Sequence, residues 1–241
     1  MNTLENYRIL MDSLNPQNTP VVQFVHRATP RQSKHIGVLD ASFNPLTLAH
    51  EALVHHAQNA FNFDEIVLLL AKTNVDKALF GADLGQRLAM MVNYADSDTQ
   101  LDTHLSIAGC SHARFIDKAH ALRALFSPNA QIYFLVGHDT LIRIFDPHYY
   151  TDMIAELKEL FSLCQIVSAN RESPSREVFH KFISRPECAP FANRVHPLQL
   201  PQSFGNISST EVRKRIRAGA SITDLVPESI ALFIETFDLY K

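Results

Sequence analysis

Glycine is scarce in this 241-residue chain, with seven residues at 37, 81, 85, 109, 137, 205 and 219, under half the usual ~7%. Neither GxGxxG nor GxxxxGK can be drawn through them, which argues against a dinucleotide-fingerprint dehydrogenase and a P-loop nucleotidase. Tryptophan is absent. Cysteine occurs three times (Cys110, Cys164, Cys188) without CxxC spacing, an odd count that suits a reducing cytosol or nucleus. No apolar run exceeds Ile66–Ala71, far short of the ~20 residues of a membrane span. Met1-Asn-Thr-Leu-Glu5 lacks an apolar signal region, so secretion is not expected, nor glycosylation at Asn206. Neither charge sign dominates. Formal charge −3 argues against a dedicated nucleic-acid binder. GxSxG is missing, and His50-Glu-Ala-Leu-Val-His55 misses HExxH by one residue, so neither a hydrolase elbow nor a zincin site is expected.

What is present is alternation. Val-, Ile- and Leu-rich runs at His35–Asp40, Glu65–Ala71, Gln131–Val136 and Leu163–Ser168 read as buried parallel strands. A further run, Arg194–Leu200, contains Pro197 and belongs at a sheet edge. Helical patterns lie at Thr47–Ala60, Leu84–Tyr94, Ala113–Phe126, Thr151–Leu160, Ser209–Ala218 and Pro227–Thr236. This order predicts an α/β fold, a doubly wound, Rossmann-like parallel sheet with helices on both faces. Residues 1–34 read as an N-terminal helix and a linker, Asn15–Lys34, with three prolines; residues 35–241 read as the main domain. Arg171–Gly205, with five prolines, reads as loop-rich around a helix at Ser175–Ile183.

Ligands of such sheets bind beyond the carboxyl ends of the strands. Asp40-Ala-Ser-Phe-Asn-Pro-Leu-Thr-Leu-Ala-His50 follows the first strand. Thr47 stands at a helix N-cap position and His50 in the first turn, where amides, hydroxyl and imidazole could meet a phosphate. The alternative is a plain cap and a packing histidine. Asn206-Ile-Ser-Ser-Thr-Glu-Val-Arg213 opens a second helix, with Ser208 and Glu211 as a capping box. Its hydroxyls and Arg213 suit an anion, although Lys214, Arg215 and Arg217 also fit a solvated face. In Gly137-His-Asp139, Gly137 admits close approach and Asp139 can accept bonds from a ribose or cap the next helix. Tyr149 and Tyr150 offer a ring for stacking, or core packing.

Taken together, Ser42-Phe-Asn-Pro-Leu-Thr47-Leu-Ala-His50, Gly137-His-Asp139 and Ile207-Ser-Ser-Thr210-Glu-Val-Arg213 resemble GSFNPxTxxH, GxD and ISSTxxR of the nicotinamide/nicotinate mononucleotide adenylyltransferases. These are nucleotidyltransferases of the [HT]xxH superfamily, and the segment from Ser221 to Tyr240 is similar to their eukaryotic C-terminal form. The resemblance implies joining of the AMP of ATP to a pyridine mononucleotide, with release of pyrophosphate. It also implies roles for residues. Thr47 and His50 would hold the ATP phosphates, with Ser208, Ser209, Thr210 and Arg213 around the leaving pyrophosphate. Ser42, Phe43 and Asn44 would line the dinucleotide cleft. Gly137 and Asp139 would contact the acceptor or a ribose, and Tyr150 the pyridine ring. Thr47, His50 and Arg213 would form the catalytic set, and Mg²⁺ would arrive on ATP rather than at a protein metal site. No nucleic-acid or membrane partner is implied, and no oligomeric state.

Departures from the pattern fall on the acceptor side. Ala41 replaces the glycine before Ser42, no tryptophan is available to stack, and the lysine-rich stretch after the second strand is echoed only by Lys72, Lys77 and Arg87. These leave two rivals open: transfer of an adenylyl or cytidylyl group to another phosphate acceptor, or an ATP-binding or ATP-hydrolysing regulatory protein.

Overall fold

Glu65–Ala71 forms a strand (β3) buried along its whole length. Burying each Val, Leu or Ile side chain stabilises the fold by about 1.5–3 kcal/mol. It lies mid-sheet in the computed structural model, which describes residues 3–28, 33–73, 81–97, 104–170 and 176–241. The other strands are β1 (Val22–His26), β2 (His35–Asp40), β4 (His104–Cys110), β5 (Gln131–Gly137), β6 (Gln165–Asn170) and β7 (Val195–Gln199). Among the described residues they form one seven-stranded sheet in the order β1-β4-β3-β2-β5-β6-β7. All pairings are parallel except β1 with β4. Strand order reverses between β2 and β5, the switch point at which ligands of doubly wound sheets sit.

The helices are α1 (Thr3–Ser13), α2 (Leu48–Phe61), α3 (Leu84–Ser97), α4 (Phe115–Arg123), α5 (His138–Ile144), α6 (Met153–Leu163), α7 (Arg176–Ile183), α8 (Ser209–Arg217) and α9 (Glu228–Thr236). Because strand side chains alternate, the core divides into two layers. Leu39, Leu68, Ile107, Leu135 and Val167 pack with residues of α1, α2, α3 and α9. Val38, Val67, Ala108, Phe134 and Ile166 pack with α4, α5, α6 and α7. No described helix is long and apolar enough to cross a membrane.

The Asn15–Lys34 stretch differs from the irregular linker expected of it. Val22–Phe24 pair antiparallel with Ala108–Cys110, so this segment supplies the edge strand. α1 then lies against α3, closely enough that a Cβ on Gly85 would come within 2.5 Å of the Arg8 side chain. At the other edge, Pro197 sits in β7, which among the described residues pairs only with β6, the kind of edge position in which proline is tolerated. Lys72 donates to the Asp12 carbonyl across 2.8 Å, tying the end of β3 to α1. Lys77 lies outside the described residues, as does Ser175, expected to open α7.

Candidate active site

Beyond β2 the chain bends through Ser42–Leu46, with Phe43 in the left-handed region at φ 41°. Its ring is fully buried and lies 5.3 Å from that of His50, centroid to centroid. Thr47 caps α2, and His50 occupies the third helical position. The Thr47 amide donates to His50 Nδ1 across 3.1 Å. That nitrogen must therefore accept, which puts the neutral ring's proton on Nε2. Thr47 itself is fully buried, with Oγ1 2.8 Å from the same His50 nitrogen. Both contacts fix the orientation of the imidazole.

A second helix N-terminus meets this loop. Ser208 caps α8 by accepting from the Glu211 amide at 3.2 Å. Ser209 Oγ donates to the Pro45 carbonyl at 2.7 Å. Arg213 reaches back with one guanidinium nitrogen on the Asn44 carbonyl and the other 3.2 Å from Thr210 Oγ1. Thr210 accepts from Arg213, so its own hydroxyl proton is left to donate. The α2 and α8 N-termini thus lie side by side, each with a positive dipole end suited to phosphate.

Arg87 completes the frame. It is 2% exposed and donates to the Ala82 and Ser42 carbonyls at 2.9 and 3.2 Å. Burial pulls both Arg87 and Arg213 below the usual arginine value, and Arg213 lowers Arg87 further. Both stay charged.

On the other side of β2, the register pairs Leu39 with Leu135 and so brings Gly137 level with Ala41. Gly137 caps α5, and a Cβ there would meet nothing within 4 Å. A cleft of about 310 Å³ opens here, floored by Asp40, Ala41 and Ser42 and walled by Phe115, Ile144, Tyr149 and Tyr150. Tyr150 is half-buried, its hydroxyl donating to the Ile144 carbonyl at 2.6 Å; burial pushes the phenol up to about 12. Polar groups alternate with these walls. Lys118 and Asp40 pair at 2.6 Å, Arg114 pairs with Glu156, and Arg143 also lines the space. Asp139 is exposed in the first turn of α5; it is Thr140 and Arg143 of that helix that line the cleft.

The structure therefore brings Ser42, Phe43, Asn44, Thr47 and His50 together with Ser208, Ser209, Thr210 and Arg213, and sets Gly137 and Tyr150 beside them. Sequence reasoning missed Lys118 and the structural weight of Arg87. One signal was available. Arg87 falls on the same helical face as Leu84 and Met91, and Lys118 with Phe115 and Leu122; a charge on an apolar stripe is one that the fold must hold.

The sequence profile of the Cytidylyltransferase-like family matches residues 38–215, from β2 through the two helix N-termini. The chain belongs to this family. A Schizosaccharomyces pombe protein, provisionally named nicotinamide mononucleotide adenylyltransferase, is 29% identical over 100% of this chain and 99% of its own length. A Desulfitobacterium hafniense protein, provisionally named nicotinate-nucleotide adenylyltransferase, is 25% identical, covering 86% of this chain and 96% of its own. The fold of this cytidylyltransferase-like chain is shared by a Plasmodium falciparum nicotinic acid mononucleotide adenylyltransferase, solved with NaAD, at TM-score 0.65 and 20% identity. That match covers 86% of this chain and 97% of the other.

Proposed function

We propose that the chain is an adenylyltransferase that joins the AMP of ATP to nicotinamide or nicotinate mononucleotide. The products are NAD, or its deamido form, and pyrophosphate. The observation that carries this reading is the meeting of two helix N-termini, with His50 and Arg213, beside an aromatic-walled cleft at the switch point. One half suits a polyphosphate; the other suits a flat ring. The names of the relatives above point the same way.

In this reaction a phosphate oxygen of the mononucleotide attacks the α-phosphorus of ATP, and the bond from that phosphorus to the bridging oxygen of the β-phosphate breaks. Phosphoryl-type transfer is catalysed by positioning and charge stabilisation, so no protein nucleophile is required. His50 Nε2–H donates to the α-phosphate as its charge builds, with Thr47 holding the ring. Thr210, Arg213 and the α8 amides bind the β- and γ-phosphates, and Ser208 and Ser209 shape that turn. Ser42 and Gly137 allow the two substrates to approach over the switch point, while Tyr150 faces the pyridine ring. Asp139, exposed in the first turn of α5, would bond a ribose.

Mg²⁺ would enter on ATP. Phosphate oxygens and water would supply its ligands. We place the reaction in the cytoplasm or nucleus, where the three free thiols would persist. Incubation with Mg-ATP and either mononucleotide tests the reading. A dinucleotide and pyrophosphate are expected. ADP and phosphate without a dinucleotide would favour the hydrolytic rival, and a product formed only with some other acceptor would move the assignment to that acceptor.

A further inference from the structure

Lys118 is buried on α4 and lines the cleft above Asp40, Ala41 and Ser42. A buried ammonium is held only where the fold gives it partners. Here Nζ donates to Asp40 Oδ2 at 2.6 Å and lies 5.1 Å from the centre of the Phe115 ring, within cation–π range. An ammonium carries three N–H bonds. Asp40 Oδ2 is the one hydrogen-bond acceptor of Nζ among the described residues, so two donors remain beside the cleft. The other polar groups of the lining lean the same way. The Tyr150 hydroxyl is spent on the Ile144 carbonyl. Each of the two carboxylates already holds a cation, Asp40 with Lys118 and Glu156 with Arg114. Arg143 adds a third cation, so the lining carries three cations to two carboxylates. His50, where the reacting phosphates belong, does not line this space, which leaves the cleft to the ring end of the acceptor.

We propose that Lys118 is a specificity-determining residue: held by Asp40, its ammonium hydrogen-bonds the substituent on the acceptor's pyridine ring, and the cleft selects a carboxylate there over a carboxamide. The proposal rests on the adenylyl-transfer reading for the class of acceptor. A carboxylate only accepts hydrogen bonds, which matches a lining rich in N–H donors. It also gains the attraction of opposite charges in a partly desolvated site. A carboxamide brings two N–H donors of its own, and the two carboxylates that could receive them are engaged.

The test supplies the full chain with Mg-ATP and, in parallel, nicotinate or nicotinamide mononucleotide. The two acceptors share phosphate and ribose, so the ratio of their kcat/KM values isolates the ring substituent. Wild type should favour the acid about 10- to 100-fold, the range of a hydrogen bond to a charged group. Asp40→Leu/Lys118→Met removes the pair as a unit, and its ratio should fall about 10-fold or more. Lost packing alone would slow both acceptors alike and leave the ratio unmoved. Asp40→Asn keeps the shape and an oxygen for Lys118 but removes a negative charge from the cleft, so its ratio should rise about 3- to 10-fold. Equal use of the two acceptors by wild type, or preference for the amide, would overturn the proposal. So would a wild-type ratio in the double variant, or a ratio in Asp40→Asn that fails to rise. Should the double variant not fold in a thermal melt, Asp40→Asn decides alone. If wild type makes a dinucleotide from neither acceptor, the transferase reading fails. The calorimetric affinities of the two mononucleotides for wild type and Asp40→Asn then still decide the selection, and binding of neither would overturn both.

Discussion

The backbone N–H of Thr47 donates to Nδ1 of His50 across 3.1 Å, and the Thr47 hydroxyl lies 2.8 Å from the same nitrogen. One residue therefore fixes the tautomer of the other, and the two contribute unequally to rate. His50→Ala deletes a donor that acts mainly on transition-state charge, so kcat should fall about 10²–10³-fold with ATP affinity nearly intact. Thr47→Val keeps the amide bond and loses only the hydroxyl. Its kcat should fall about 3- to 10-fold, less than the loss of one hydrogen bond to a charged group. Steady-state kinetics beside thermal melts check both. Near-normal turnover in His50→Ala, or a loss that follows its Tm, would return His50 to the role of a packing residue.

Tyr150 lines the cleft with its hydroxyl committed to the Ile144 carbonyl. Ring stacking is worth about 0.5–1.5 kcal/mol beyond area burial. Tyr150→Ala should therefore raise the mononucleotide KM about 2- to 10-fold and leave ATP binding unchanged. The phenol, pushed up to about 12 by burial, stays neutral across the working range, so the wild-type mononucleotide KM should show no inflection due to Tyr150 between pH 7 and 10. Equal damage to ATP affinity would remove Tyr150 from the acceptor side.

The elements that carry the site were legible because they obey local rules. β2, β3 and β5 are unbroken apolar runs, and Ser208 with Glu211 announces the start of α8. β1 and β4 were not legible. The ladder of β4 includes Ser106 and Gly109, which interrupt the apolar pattern, and β1 sits in a stretch flanked by prolines. α5 follows β5 directly, with Gly137 as both strand end and N-cap, so no turn signal separates the two. Within the site, His50 and Arg213 stand in recognisable motifs. Arg87 and Lys118 each fall on an apolar helix stripe, a local sign that the fold holds the charge, but their partners at Ser42 and Asp40 are 45 and 78 residues away, and the stripe does not name them.

The three cysteines should be chemically silent in the folded protein. Burial pushes Cys110 and Cys188 up to about 11 and Cys164 to about 12. The thiolate is the reactive form, so raising the thiol value above its unfolded one lowers the reactive fraction at pH 8. The shift also favours the protonated thiol in the native state, a contribution to stability that is lost as pH rises from about 9 to 12. Labelling with iodoacetamide at pH 8 should be slow in buffer and complete in denaturant. Rapid native labelling at any of the three would contradict their burial.

The Lys118–Asp40 pair lies at the floor of the cleft, with side chains only 4% and 13% exposed. An ion pair this buried gains its attraction against a desolvation cost of similar size, so its net contribution to stability is small. Removing one partner is different, because the other charge is then left desolvated and alone. Lys118→Met should lower stability by about 3 kcal/mol, the lower end for a broken buried pair, read as a shift of the urea midpoint at constant slope. The double variant Asp40→Leu/Lys118→Met should regain most of that stability. Activity should not return with it. Asp40 precedes Ala41 and Ser42, which floor the same cleft, and a leucine there replaces a polar, orienting group with an apolar one. The double variant is therefore expected to be as stable as wild type, to within about 1 kcal/mol, but with a mononucleotide KM raised at least 10-fold, as when buried polar groups of a ligand lose their partners. A double variant with both stability and mononucleotide KM at wild-type values would show that the pair only joins β2 to α4. One that stays as unstable as Lys118→Met would show that packing, rather than the stranded carboxylate, dominates the loss.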